Sequence, residues 1–278
     1  MPGAFVLLWS TGFIGAKLGT PYAPPFTFLL LRFVVVTASL FAAALMLRSP
    51  WPNRAQVGRI AFVGVLIHGC YLGGVFLAIS LGVPAGMAAL MVSMQPLATA
   101  LIAGPYLGET LRRRQWLGLV LGLLGVAMVV ADKLGWREGD VAGVLASVVA
   151  LLGITIGTLY QKRHATGMNL ITGSFVQFAA AGLVMLPLVL IFEGQPVSWT
   201  GEFVFALLWL SFVLSIGAIT LLHLLIRRGA AAKVASLFYL TPAVTSLLAW
   251  LLFNELLSPA AVGGMVVAIA GVALVARG

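Results

Sequence analysis

His68 and Tyr71 stand about one helical turn apart inside a long apolar run, so both would project from one face of a helix formed there. A histidine can exchange a proton near neutral pH, and a tyrosine combines an apolar ring with a hydrogen-bonding tip. The same mixture recurs in other apolar runs, at Trp9 and Ser10, Gln95, Thr155 and Thr158, Ser215, His223 and Tyr239. Together these types suit a modest-sized amphipathic solute, with hydrogen bonds for its polar groups and rings for its apolar body. Singly, each has a plainer reading. A lone Ser or Thr in an apolar helix often bonds its own backbone, and a neutral histidine can simply bridge two helices.

These residues do not compose catalytic machinery. Asp occurs only at 132 and 140, both in one connection, and no nucleophile stands with its base. Three scattered histidines, with no HxxxH spacing and no carboxylate cluster, argue against a metal site. No glycine loop ends in Lys and Ser/Thr, which argues against direct use of ATP. No cofactor is expected, and an integral membrane enzyme is the weakest of the candidate functions.

The elements that must position these residues are set by composition. The chain has 278 residues, 62% of them hydrophobic and 8% charged, with mean hydropathy +1.12. A water-soluble domain of this length has no way to hide so much apolar surface. Apolar runs continue to the last residues, unlike a signal peptide followed by a polar mature chain. A spanning helix needs about 20 mostly apolar residues. Polar and Pro/Gly breaks divide the chain into ten such stretches, at 2–20, 25–47, 57–81, 84–106, 113–131, 140–161, 169–192, 201–226, 231–253 and 259–276. The expectation is an all-α membrane protein of ten transmembrane helices.

The net charge of +9 would suggest nucleic acid in a soluble protein, but here it marks membrane orientation. Twelve of the sixteen Lys/Arg fall in the connections on one side or near the chain's end, from Arg48 to Arg277. Lys and Arg collect in cytoplasmic loops, so both termini should be cytoplasmic, with lipid as solvent and nucleic acid excluded as a partner. Cys70 has no second cysteine and reads as a small packing residue.

An internal repeat organises the ten spans. Laid on 242–275 without a gap, residues 96–129 match at twelve of thirty-four positions, including Pro96/Pro242, Glu109/Glu255, Gly118/Gly264 and Gly125/Gly271. A shift of 145 pairs Gly12 with Gly157 and Phe33 with Phe178. The chain therefore reads as two five-helix repeats, 1–135 and 136–278. Five is odd, so the second repeat enters the membrane inverted, and the two surround a central cavity. Inverted repeats characterise secondary transporters, whose sites lie near the midplane at the repeat interface. Pro96 and Pro242 sit near mid-span, where each frees a carbonyl that only protein or a wet cavity tolerates. They read as hinges, with static packing kinks as the alternative.

WSTGFIGAK near the start, LLLRF in the second span, the QP and TP spans ending in GE and NE, and the GLLGVAMV and AIAGVALV spans resemble the drug/metabolite transporter superfamily. The closest likeness is its EamA-type ten-helix branch, and within that the aromatic amino-acid exporters. The resemblance implies ten helices around a central cavity, the fifth and tenth more peripheral, and export of amino acids and other metabolites across the bacterial inner membrane. The alternative within transport is a multidrug or quaternary-ammonium exporter, and amphipathic drugs stay open as substrates. That alternative calls for a membrane-embedded acid, whereas Glu109 and Glu255 lie at span ends. Arg32, inside the second span, has two readings: a functional intramembrane charge, or a snorkelling or carbonyl-capping side chain as the family's LRF suggests. The glycines of the third and fifth spans read as packing faces, with a weak dimer through Gly118 and Gly122 as the alternative to a monomer.

Overall fold

The computed structural model describes residues 1–81, 83, 91–131, 141–253 and 258–277, and every regular element within them is helical. In chain order these are α1 (Pro2–Gly19), α2 (Pro25–Met46), α3 (Arg54–Ser80), α4 (Gln95–Leu107) and α5 (Arg113–Ala131). Then come α6 (Val141–His164), α7 (Leu170–Phe192), α8 (Gly201–Arg228), α9 (Ala231–Ser236 running on through Leu240–Phe253) and α10 (Pro259–Arg277). Among the described residues, α2, α3, α6, α7, α8, α9 as far as Leu248, and α10 are each long and apolar enough to cross a membrane. The chain is a multi-pass, all-helical membrane protein. Glu255, residues 84–90 of the fourth expected span and the connection 132–140 lie outside the described residues.

Local chemistry explains where the helices begin and end. Asn53 and Gln56 form a reciprocal capping box at the start of α3. Asn169 accepts from the backbone of Ile171 and Thr172 at the start of α7, and Thr200 from Phe203 in α8. Gly108, at φ 72°, closes α4 in the left-handed conformation that glycine adopts without steric cost. The α2 start, after Pro24, has no cap of its own. Glu193, beyond the end of α7, supplies it by accepting from the Phe26 and Thr27 amides at 2.8 and 2.6 Å. A carboxylate at a helix N-terminus meets both the orphan amides and the favourable end of the helix dipole.

The two ends of the bundle differ in charge. One end brings together Met1 with Arg228, Ala276 with Lys233, Tyr106 with Arg163, and Gly229 with Lys162. Met1 and Ala276 both lie at this basic end. The other end holds Glu193, and Glu202, which accepts from the Tyr22 hydroxyl. That bond to a carboxylate holds the Tyr22 phenol above its ordinary pKa.

The helix pairs are α5 with α10, α2 with α7, α3 with α6 and α7, α1 with α8 and α9, and α4 with α6 and α9. The tightest is α5 with α10, which run antiparallel. A Cβ added at Gly118 would come within 2.6 Å of the Gly271 carbonyl oxygen, and one added at Gly125 within 2.6 Å of that of Gly264. Lipid offers helices no hydrophobic reason to associate, so close backbone approach through small residues must supply the contact. Gly118 is thereby covered by α10, and Gly122 by the Tyr239 ring of α9. Dimerisation through these two glycines is corrected: the seam is internal to the chain. Gly125→Leu is expected to wedge the seam apart, at an overpacking cost of about 1–3 kcal/mol. Thermal unfolding in detergent should show a lowered midpoint; an unchanged one would remove the seam as a source of stability.

Both helices that carry mid-span prolines are interrupted just before them. In the fourth, a turn at Ser93–Met94 precedes Gln95, and Pro96 occupies the first turn of α4. In α9 a 3-10 turn, Leu237–Tyr239, precedes the restart at Leu240, and Pro242 again sits in the first turn. A proline is well tolerated there because its missing N–H has no helical partner to lose.

Candidate functional site

Two helices depart from α geometry where they cross the middle of the bundle. Val65–Leu72 of α3 and Leu210–Ala218 of α8 are π-helical. A π segment widens the turn and shifts side chains around the axis, and such segments are frequent at functional sites. The wider turn lets the Ser215 hydroxyl donate to the Leu210 carbonyl, five residues back, at 3.1 Å. The same hydroxyl accepts from Arg32 Nε at 2.8 Å, which ties α2 to α8.

Arg32 looks into a cavity bounded by α1, α2, α3 and α8. Trp9, His68 and Tyr71 form its deep part, Leu214 and Ile219 one wall, and Val75, Phe76 and Ile79 lead toward Thr20 at the acidic end of the bundle. The cavity and its open mouth together take in about 670 Å³ of empty space, a figure that includes the solvent at the mouth. The Trp9 ring stacks toward Tyr71, with centroids 6.4 Å apart, and meets Phe238 edge-on at 5.1 Å. His68 stacks on Phe178 at 4.0 Å and lies beside the Gln177 amide, although neither ring nitrogen makes a well-formed hydrogen bond to a described residue.

A guanidinium this deep is costly unless something offsets its charge. Arg32 is only 3% exposed, and among the described residues no carboxylate pairs with it. The nearby polar groups are Ser215, Tyr71 and His68, none of them an anion. Among the described residues Arg32 therefore has no counter-charge, and its guanidinium stands beside an aromatic wall.

The remaining candidate residues fall in four other places. Ser10 bonds backward to Val6 O at 2.7 Å and reaches the Thr241 carbonyl of α9 at 3.3 Å. Gln95 Nε2 reaches Thr158 Oγ1 at 3.5 Å, a marginal bond between α4 and α6, and Thr155 is buried nearby without a partner. His223 is fully buried in α8 nearer the basic end, with no partner for its ring nitrogens among the described residues. Tyr239 packs on Gly122 of α5 in a separate apolar cluster and does not line the cavity.

Residue types alone did not mark Val75, Phe76, Ile79 or Leu214 as cavity residues, because an apolar wall looks like any lipid-facing surface. Arg32 carried a signal, as an intramembrane charge. At the basic end Glu109 Oε1 accepts from the Ala231 amide at 2.9 Å and lies 4.0 Å from Lys162 Nζ. Lys162 also donates to the Ile226 carbonyl at 3.2 Å and to that of Gly229. This cluster holds the ends of α4, α6, α8 and α9 together at the basic end.

Comparison with known proteins gives these features a setting. A "Probable amino-acid metabolite efflux pump" of Escherichia coli (strain K12) is 26% identical over 263 residues, covering 91% of this chain and 86% of that one. An "Uncharacterized inner membrane transporter", YedA, of the same strain is 27% identical over 264 residues, covering 92% and 82%. A solved crystal structure shares the fold with a TM-score of 0.80 at 24% identity, over 98% of this chain and 94% of that one. The model of the EamA-like transporter family matches residues 4–131 and again 141–277. With nearly its whole length matched in these two blocks, the chain belongs to the EamA-like transporter family.

Proposed function

We propose that this transporter exports amino acids and related carboxylate-bearing metabolites across the bacterial inner membrane, with preference for aromatic or otherwise apolar side chains. The observation that carries the reading is the Arg32 guanidinium, without a counter-charge among the described residues, beside the Trp9, Tyr71 and Phe76 rings in one cavity. A substrate carboxylate offsets the charge through charge-assisted hydrogen bonds, and the rings accept the apolar body. His68 and Tyr71 complete the polar lining. The E. coli efflux-pump relative, by its name, handles the same chemical class. The alternative of a quaternary-ammonium exporter loses support, since the cavity offers a cation where that substrate needs an anion.

Transport proceeds by alternating access in this proposal, with all ten helices crossing the membrane and the two five-helix repeats exchanging conformations. The basic end faces the cytoplasm by the positive-inside rule, so both termini are cytoplasmic and the described cavity faces outward. The two blocks matched by the family model support the repeat, as do the paired interruptions before Pro96 and Pro242, which act as hinges. Gln95 with Thr158, and Ser10 with Thr241, then form polar hinge contacts at matching places in the two repeats.

Counterflow in proteoliposomes across a panel of amino acids, amino-acid esters and quaternary cations tests the reading. Aromatic and large apolar amino acids should exchange, without nucleotide. Exchange of cations alone would overturn it.

A further inference from the structure

The repeat can be followed contact by contact. The two π segments begin at residues 65 and 210, a separation of 145, and end at 72 and 218, a separation of 146. Gly12 of α1 closes on Leu214 of the α8 π segment, and its counterpart Gly157 of α6 closes on Ile67 of the α3 π segment. Phe33 and Phe178 are counterparts and touch each other, with ring centroids 5.7 Å apart. Gly118 meets Gly271, and Gly125 meets Gly264; exchanging each residue for its counterpart turns one contact into the other. Such closure, across an antiparallel pair, describes a two-fold axis perpendicular to the helices.

One part of the structure breaks this symmetry: the cavity itself. Shifted by 145, the wall residues Trp9, Ala16 and Arg32 fall on Ile154, Gln161 and Gln177. There the structure is closed. Ile154, Gln161 and Gln177 are all 0% exposed. Gln177 Nε2 donates to Gln161 Oε1 at 2.9 Å, and Gln161 Nε2 donates to the Ala165 carbonyl at 3.2 Å. Among the described residues the Thr155 hydroxyl lacks a partner, and Gln177 Oε1, beside the His68 ring, makes no well-formed hydrogen bond. Side-chain amides sealed between helices in this way are expensive unless some other state of the protein employs them.

We propose that Gln161 and Gln177 form a second substrate site, exposed when the basic end opens, which takes up the solute's carboxylate and amino groups from the cytoplasmic side. The proposal rests on the alternating-access reading above and adds to it the residues that load the inward-open state. The chemistry of the two sites differs. Amide N–H groups hydrogen-bond a carboxylate without offering a formal charge, and the amide oxygens accept from an ammonium. The loading site therefore accepts zwitterions and neutral amides alike, whereas Arg32 opposite selects for the carboxylate.

Cysteine accessibility tests this in a Cys70→Ala background. Ala16→Cys lines the described cavity and should react with an impermeant thiol reagent from outside. Gln161→Cys and Gln177→Cys should react only from the cytoplasmic side, and about tenfold faster when Glu109→Gln loosens the basic end. Protection of both from both faces in the Glu109→Gln background, with Ala16→Cys still reactive, would overturn the proposal. Amino-acid counterflow in the same vesicles separates the two readings. Protected amides with normal exchange sink the second site only, whereas a wild-type protein that exchanges no amino acid sinks the substrate assignment.

Should the cysteine variants not reach the membrane, Gln177→Leu in oriented proteoliposomes serves instead. The KM measured from the cytoplasmic side should rise about tenfold, with the outer KM unchanged. Equal change on both sides would assign the pair to structure alone.

Discussion

Arg32→Met should lower kcat/KM for amino acids roughly a hundredfold, about 2.7 kcal/mol of lost binding, while the protein still inserts and folds. Methionine keeps much of the length and apolar stem of arginine and removes the charge, so the carboxylate enters the cavity without a counter-charge. Truncating one partner of a buried charge pair costs about 2–5 kcal/mol, which brackets the expected loss. Amino-acid methyl esters lack the anion and should lose far less. Arg32→Lys restores charge without the planar fork and should fall between. A purely structural role for the Arg32–Ser215 tie predicts another pattern, in which acids and esters suffer equally and the melting temperature drops. Initial rates for acid and ester pairs, measured beside thermal unfolding of the same preparation, distinguish the two.

The second large effect should come from the basic end. Glu109→Ala removes at once the acceptor for the Ala231 amide and the partner of Lys162. Hydrogen bonds to charged groups contribute about 1.5–3 kcal/mol, enough to shift a two-state equilibrium roughly ten- to a hundredfold. The shift should favour the state open at that end. Spin labels at 107 and 230 should then report a longer distance, and affinity at the cavity should weaken in proportion. Glu109→Gln retains an acceptor for Ala231 and should shift less. Lys162→Met should add little to Glu109→Ala if the two act as one unit. An unchanged distance distribution in Glu109→Ala would show that packing alone closes this end.

Much of this architecture was legible in the residues, for identifiable reasons. Apolar runs of spanning length leave a chain no solvent but lipid, so the multi-helix membrane fold and the family followed from composition and the quoted motifs. Trp9, His68 and Tyr71 stood out as polar or amphipathic groups in apolar surroundings, and the structure gathers them in one cavity. Tyr239 stood out equally and is placed elsewhere, against Gly122. The difference is helix rotation. In water an apolar stripe announces which face turns inward, but in lipid both faces are apolar and the stripe is silent. The π segments were invisible for another reason, since no residue type encodes a widened turn. Arg32 was legible as a charge, but its lack of a counter-charge among the described residues depends on what α1, α3 and α8 bring around it.

The glycine seam between α5 and α10 also bears on how the protein is made. Gly125 leaves the ribosome 139 residues before Gly264, since 264 − 125 = 139. At ordinary rates of synthesis that interval is on the order of ten seconds. For that time α5 sits in the bilayer with a groove shaped for a helix that does not yet exist, open to lipid or to another nascent chain. Completion of the first half thus waits on α10, and a ribosome that stalls before it leaves behind an inserted but unsealed bundle for quality control to recognise.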